Sequence, residues 1–183
     1  KYNEAIDVST GTISVTKGSG TKDIAITENM ISGYDPTKLG KQTITITYGA
    51  KTTSYEVNVK DYVTGISITP NAITGTYNDE LEALINENDI IYTVTYAKAG
   101  ATSPRTLTES MVAGYNKTSL TAQNLTVTYA DKDANSYTNG KTFTTTLGIK
   151  LENNVAKVTI TPPTKAEYNH GDKIDLTGGK ITV

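Results

Sequence analysis

The chain has 183 residues with 17 Lys+Arg against 19 Asp+Glu, one His, no Cys and no Trp. A formal net charge of −2 leaves no basic excess to track phosphates, so no nucleic-acid partner is expected. No apolar run reaches the roughly 18 residues that cross a bilayer, which predicts no membrane insertion in this segment, and the first residues do not read as a signal peptide. The lack of cysteine excludes disulfides, thiolate metal sites and a cysteine nucleophile. Threonine, at 34 residues, is close to a fifth of the chain and stands beside 12 Tyr and a single Phe. Thr and Tyr fit a pleated surface with one wet face, so the composition predicts an all-β fold.

In chain order, Ile13/Val15 and Ile24/Ile26 open two short alternating runs. Gln42–Tyr48 then sets Ile44, Ile46 and Tyr48 on one face and three threonines on the other, the period of a half-buried strand. Tyr55, Val57 and Val59 repeat the alternation after Gly49-Ala50-Lys51, which reads as a three-residue hairpin connection. Ile66/Ile68 ends in Thr-Pro. Asp79–Ile85 is the one helical stretch, a turn or two long. Strands follow at Tyr92/Val94/Tyr96, Leu125/Val127/Tyr129, Phe143/Thr145/Leu147, Val158/Ile160 and Ile181/Val183.

The chain also repeats itself. Residues 27–48 align without a gap to residues 108–129, with 11 of 22 positions identical. VTGISITP from Val63 matches VAKVTITP from Val155, and IDVSTGTISV from Ile6 matches IDLTGGKITV from Ile174. The offsets suit a tandem unit of roughly 80–90 residues. The phase predicts a unit at 1–60 lacking its first strand, a complete unit at 61–154, and the opening strands of a third at 155–183.

Tyr168–Val183, Met30–Asp35 and Gly40–Tyr48 carry a resemblance to bacterial immunoglobulin-like domains, most closely the group 3 type. Residues 61–154 depart from that pattern: Asn116 and Thr121 stand for Asp35 and Gly40, and Ala130–Gly140 is a long insertion. The resemblance implies tandem immunoglobulin-like antiparallel β-sandwiches serving as non-catalytic spacers or adhesive stalks. It places them outside the cell or on the bacterial surface, with neighbouring domains of the same chain as partners and a cell-surface glycan or protein as a possible ligand. The alternative is a carbohydrate- or protein-binding module that uses end loops such as Ala130–Gly140.

Several residues bear on function or structure. Tyr34 and Tyr115, after Gly33 and Gly114, are expected to be corner residues with buried rings and hydroxyls bonded to backbone; stacking on a sugar is the alternative. Asp131, Asp133 and Asn135 alternate as calcium ligands do, but Ser136 and Thr142 stand where a calcium loop has Gly and Glu, so a polar hairpin tip is the preferred reading. His170, Asp172 and Asp175 read as turn chemistry, because no nucleophile accompanies them. No catalytic residue and no cofactor site is assigned. Asn116 and Asn124 match the glycosylation sequon by composition, and the many Lys and Asn residues permit a Lys–Asn isopeptide bond without placing one. Strand addition between molecules through Val158–Pro162 is less favoured than simple truncation, since it needs a matching register.

Overall fold

The computed structural model describes residues 1–153 and 157–183; the expected boundary at Asn154/Val155 and the start of the Val155 repeat copy lie outside the described residues. The alternating runs form strands throughout. β1 (Thr12–Lys17) and β2 (Gly20–Ala25) make an antiparallel hairpin, and β3 (Ile31–Ser32), β4 (Gly40–Tyr48) and β5 (Lys51–Val59) make a three-stranded sheet. Ile44 and Ile46 are buried there, as the period of two requires. Tyr48 and Tyr55 are exposed instead, Tyr48 because it closes the hairpin, where Tyr48 pairs directly with Lys51. The turn is therefore the two residues Gly49-Ala50, with Lys51 already in the ladder and Gly49 at φ 59°.

Next come β6 (Val63–Thr69), β7 (Ala72–Thr76), α1 (Leu81–Glu87), β8 (Ile91–Tyr96), β9 (Gly100–Ala101), β10 (Arg105–Thr106), β11 (Val112–Ala113), β12 (Gln123–Ala130) and β13 (Thr142–Glu152). These build a sandwich. One sheet runs β10-β8-β6, with β9 also on β8; the other runs β11-β12-β13-β7. β6 pairs antiparallel with β8, and after Pro70 the chain crosses to the second sheet, where β7 runs parallel to β13. Proline suits the crossing because it has no N–H to give to either ladder. Ile68, Leu125, Val127, Leu147, Ile149 and Leu151 meet between the sheets in one core with Leu107 and Ile90. The helix buries Leu81, Leu84 and Ile85 against that core, its apolar positions falling at helical spacing. Gly75 lets it approach: a Cβ there would lie 2.5 Å from Leu84 Cδ2.

β14 (Thr159–Thr161) and β15 (Lys180–Thr182) form a last antiparallel ribbon. Its Ile160 and Ile181 are 72% and 71% exposed, and among the described residues no second sheet covers them.

Residues 27–48 and 108–129 take matching conformations. Glu28–Met30 and Glu109–Met111 are each one 3₁₀ turn, followed by the two-residue strands β3 and β11 and the long strands β4 and β12. The side-chain bonding matches as well. Asp35 N–H donates to Gln42 Oε1 at 2.7 Å and Gln42 Nε2 donates back to Asp35 O at 2.8 Å. With the offset of 81, Asn116 N–H donates to Gln123 Oε1 at 2.8 Å and Gln123 Nε2 to Asn116 O at 2.9 Å.

Candidate functional site: the connector and its clamp

Tyr34 and Tyr115 introduce the arrangement. Tyr34 Oη donates to Glu4 O at 2.6 Å, and Tyr115 Oη donates to Asp79 O at 2.7 Å. Both rings are half-buried rather than buried, and burial, helped by a nearby Glu4 or Asp79 carboxylate, pushes both hydroxyls above their ordinary range. Gly33 and Gly114 precede them at φ 88° and 96°, in the left-handed region that glycine favours. Each tyrosine therefore fixes the segment that begins at Tyr2-Asn3 or Tyr77-Asn78. Asn3 N–H donates to Pro36 O and Asn78 N–H to Lys117 O, both at 2.8 Å. Tyr2 N–H reaches Lys60 O at 2.8 Å and Tyr77 N–H reaches Glu152 O at 2.9 Å. The first of these bonds ends on the connector that leads into the sandwich.

That connector, Lys60-Asp61-Tyr62, is bonded at every residue. Asp61 O accepts Tyr137 N–H at 2.7 Å, and Tyr62 O accepts Ala97 N–H at 2.9 Å. The Asp61 carboxylate accepts Lys98 N–H through Oδ1 and Ala99 N–H through Oδ2, each at 3.0 Å, so it caps the turn between β8 and β9. Lys60 Nζ donates to Ala134 O at 2.9 Å. From the opposite direction, Lys98 Nζ donates to Thr37 O and lies 5.5 Å from the centre of the Tyr2 ring. Lys1 Nζ stands 5.7 Å from the Tyr62 ring centre and 6.0 Å from that of Tyr137, distances at which a cation is attracted to a ring face.

The long loop after β12 closes on the connector. Val63 N–H donates to Thr138 Oγ1 at 2.9 Å, and Thr138 Oγ1 donates to Asp131 Oδ2 at 2.8 Å. Asp131 is fully buried, its other oxygen accepting Asp133 N–H at 3.0 Å. Burial pushes its carboxyl up, but the Ser136 and Thr138 hydroxyls and the Asp133 N–H outweigh burial and hold it below the usual carboxylate range. The calcium candidates are thus divided: Asp131 faces inward onto its own loop, while Asp133 and Asn135 are exposed, with Asp133 Oδ1 accepting Asn135 N–H at 2.8 Å. Among the described residues no group of three His, Asp or Glu side chains is placed to hold a metal ion. Between the clamp and β4–β5 lies a cleft of about 650 Å³ whose walls include Leu39, Val59, Tyr96 and Asn135.

The remaining candidates serve local structure. Asp172 Oδ2 accepts Asn169 N–H at 3.0 Å and Lys165 Nζ at 3.2 Å, and Asp175 Oδ1 accepts Thr177 N–H at 2.9 Å. Asn116 Oδ1 accepts Thr118 N–H at 3.0 Å, and Asn124 lies within β12 opposite Gly148. The sequence marks Lys60-Asp61-Tyr62 as a short connector, but it does not mark the side-chain bonds of Asp61, Thr138 and Gln42. Gln42 had a signal, as one of the identities shared with residues 108–129; Asp61 and Thr138 had none, because each acts across a sequence separation that no pattern marks.

Residues 2–59 match the family model of the bacterial Ig-like domain, group 3. No curated protein and no solved structure matches the chain.

Proposed function

We propose that this chain is a tandem run of immunoglobulin-like units, divided at 1–60, 61–154 and 155–183, that acts as a non-catalytic spacer in a bacterial extracellular or surface-anchored protein. The family matched by residues 2–59 supports a bacterial surface-protein module, and such modules are generally not catalytic. The observation that carries the spacer reading is the connector. A stalk must transmit orientation from one unit to the next, and the backbone of Asp61 and Tyr62 and the Asp61 side chain are tied to two loops of the sandwich. The end of β5 at Val59 and the clamped segment after it support drawing the division at 60/61. Among the described residues no helix is long and apolar enough to cross a membrane.

The alternative, a glycan- or protein-binding module acting through Ala130–Gly140, has less support. The inner residues of that loop, Asp131, Ser136 and Thr138, are buried against the connector, leaving Tyr137 as its exposed aromatic side chain. Antibodies raised against the purified chain test the proposal on the source bacterium. They label intact cells or the culture medium if the chain is extracellular; labelling that requires permeabilised cells overturns it.

A further inference from the structure

The sandwich is open along one flank, where β8 and β10 of one sheet splay from the end of β12 in the other. A cleft of about 730 Å³ lies there. Its apolar wall is aromatic. Tyr92 and Tyr96, four residues apart on β8, point to the same side, and the Tyr92 and Tyr129 rings sit 6.1 Å apart with their planes at 42°. Tyr96 lines the same cleft as Tyr129, and burial pushes its hydroxyl above the ordinary range. The three phenols thus form one continuous half-buried surface, with the Ser110 and Thr128 hydroxyls beside it.

The rim is charged, and one charge is out of keeping with the strand it sits on. Arg105 is directly opposite Tyr92 in the β10–β8 ladder, so the two side chains share a face. At the matching place in the β1–β2 hairpin the opposed pair is Ile13 and Ile24, apolar on both sides. A cleft recurs on that flank too, reaching from Ile24 to Tyr48, but the position corresponding to Arg105 closes it with an aliphatic side chain. Arg105 is the one arginine of the chain. Its guanidinium makes no ion pair and no hydrogen bond among the described residues. Lys132 and Asp133 also stand on the rim, so the three charges leave one net positive.

We propose that this flank cleft binds an acidic sugar, with a pyranose ring against the tyrosine faces and its carboxylate on Arg105. Tyrosine faces suit the apolar C–H side of a sugar ring, the hydroxyls of Ser110 and Thr128 suit its O–H groups, and a free planar guanidinium suits a carboxylate bidentately. A single net charge, with Asp133 facing the ligand, favours one carboxylate per bound unit over a densely charged polymer. Tyr96, Arg105 and Asp133 also line the cleft beside the connector, so the site borders the junction; ligand binding there is a separate property that goes beyond the spacer reading and does not depend on it.

The test is a titration of the whole chain, followed by amide ¹H–¹⁵N spectra, with tetragalacturonate, with its methyl ester, and with sialyllactose. The first and third distinguish a uronate from a sialate source, and the ester removes the charge while keeping the rings. An acidic sugar is expected to shift the amides of Tyr96, Arg105 and Tyr129 with an affinity about ten- to a hundredfold above that of the ester. Arg105→Gln is expected to abolish that preference, whereas Arg105→Lys retains part of it. Arg105 is exposed on a two-residue edge strand, and an unchanged spectrum away from the cleft verifies that both variants fold. No shift with either acid at 10 mM, equal affinity for acid and ester, or an unaltered Arg105→Gln titration overturns the proposal. Cell labelling reports on the spacer reading separately, so the two fail independently.

Discussion

Replacing Asp61 by alanine removes the two side-chain acceptors that hold the β8–β9 turn to the connector, at 3.0 Å from Lys98 N and 3.0 Å from Ala99 N. Hydrogen bonds to a charged group contribute about 1.5–3 kcal/mol each when shielded. Asp61 is half-exposed, and screening by solvent brings the pair to about 1–3 kcal/mol in total. None of this falls on the core of Ile68, Leu125, Val127 and Leu147, so the sandwich should remain folded while its attachment to the N-terminal sheets loosens. ¹⁵N relaxation separates the two effects. In the native chain the amides of Ile44 and Val127 should report one rotational correlation time, as for a single rigid body. In Asp61→Ala the two should diverge, both shortening. Asp61→Asn should fall between, since its carbonyl still accepts Lys98 N–H while its amide group faces the Ala99 N–H donor. Two different correlation times in the native chain, or one shared value in Asp61→Ala, would refute the rigid connector.

Two further predictions concern stability. A Cβ at Gly33 would lie 2.5 Å from Thr43 O, whereas at Gly114 the nearest atom, Leu125 Cδ2, is 3.9 Å away. Both positions have positive φ, so Gly114→Ala carries the left-handed penalty of about 1–2 kcal/mol, and Gly33→Ala carries that plus a clash with rigid backbone, about 3 kcal/mol or more. Urea denaturation should rank them in that order, and equal midpoint shifts would contradict the packing difference. For Asp131, the folded carboxyl lies below its ordinary value near 3.8. Its stabilising contribution is therefore fully present above the unfolded value and is lost as pH falls through the folded one. Asp131→Asn should be less stable at neutral pH and should flatten the stability curve below about pH 4; an unchanged acid limb in thermal melts would show that Thr138 and Val63 do not depend on the charge.

The strands were legible because one face of each is oily, and the likeness of residues 27–48 to 108–129 was legible because both carry that pattern together with Gly33-Tyr34 and Gly114-Tyr115. The details that escaped have physical reasons. Tyr48 obeys the alternation yet is exposed, because a strand's last residue at a two-residue turn has no facing sheet to cover it. The helix starts at Leu81 rather than Asp79, since Asp79 is held in the preceding turn, where its Oδ2 accepts Thr76 N–H at 2.7 Å. The Ala130–Gly140 loop read as a polar hairpin tip because its residues are polar. Polarity does not distinguish a hydroxyl turned to water from one turned to a buried carboxylate, and Thr138 is the second kind.

The two β-hairpins show what that loop is for. β4 and β5 join through Gly49-Ala50 with an unbroken register from Gly40↔Val59 to Tyr48↔Lys51. β12 and β13 keep an equally regular register from Gln123↔Ile149 to Ala130↔Thr142 and yet carry the long loop. A hairpin of this kind therefore needs only two residues to close, and the extra length answers no requirement of the sheet. What it supplies is the Thr138 hydroxyl to Val63 N–H, the Tyr137 N–H to Asp61 O and the Ala134 carbonyl to Lys60 Nζ, three bonds that all end on the connector or the first residue after it. Satisfying those groups with protein rather than water removes the freedom that a short polar linker otherwise keeps. The insertion thus serves the connector and not the sheet that carries it.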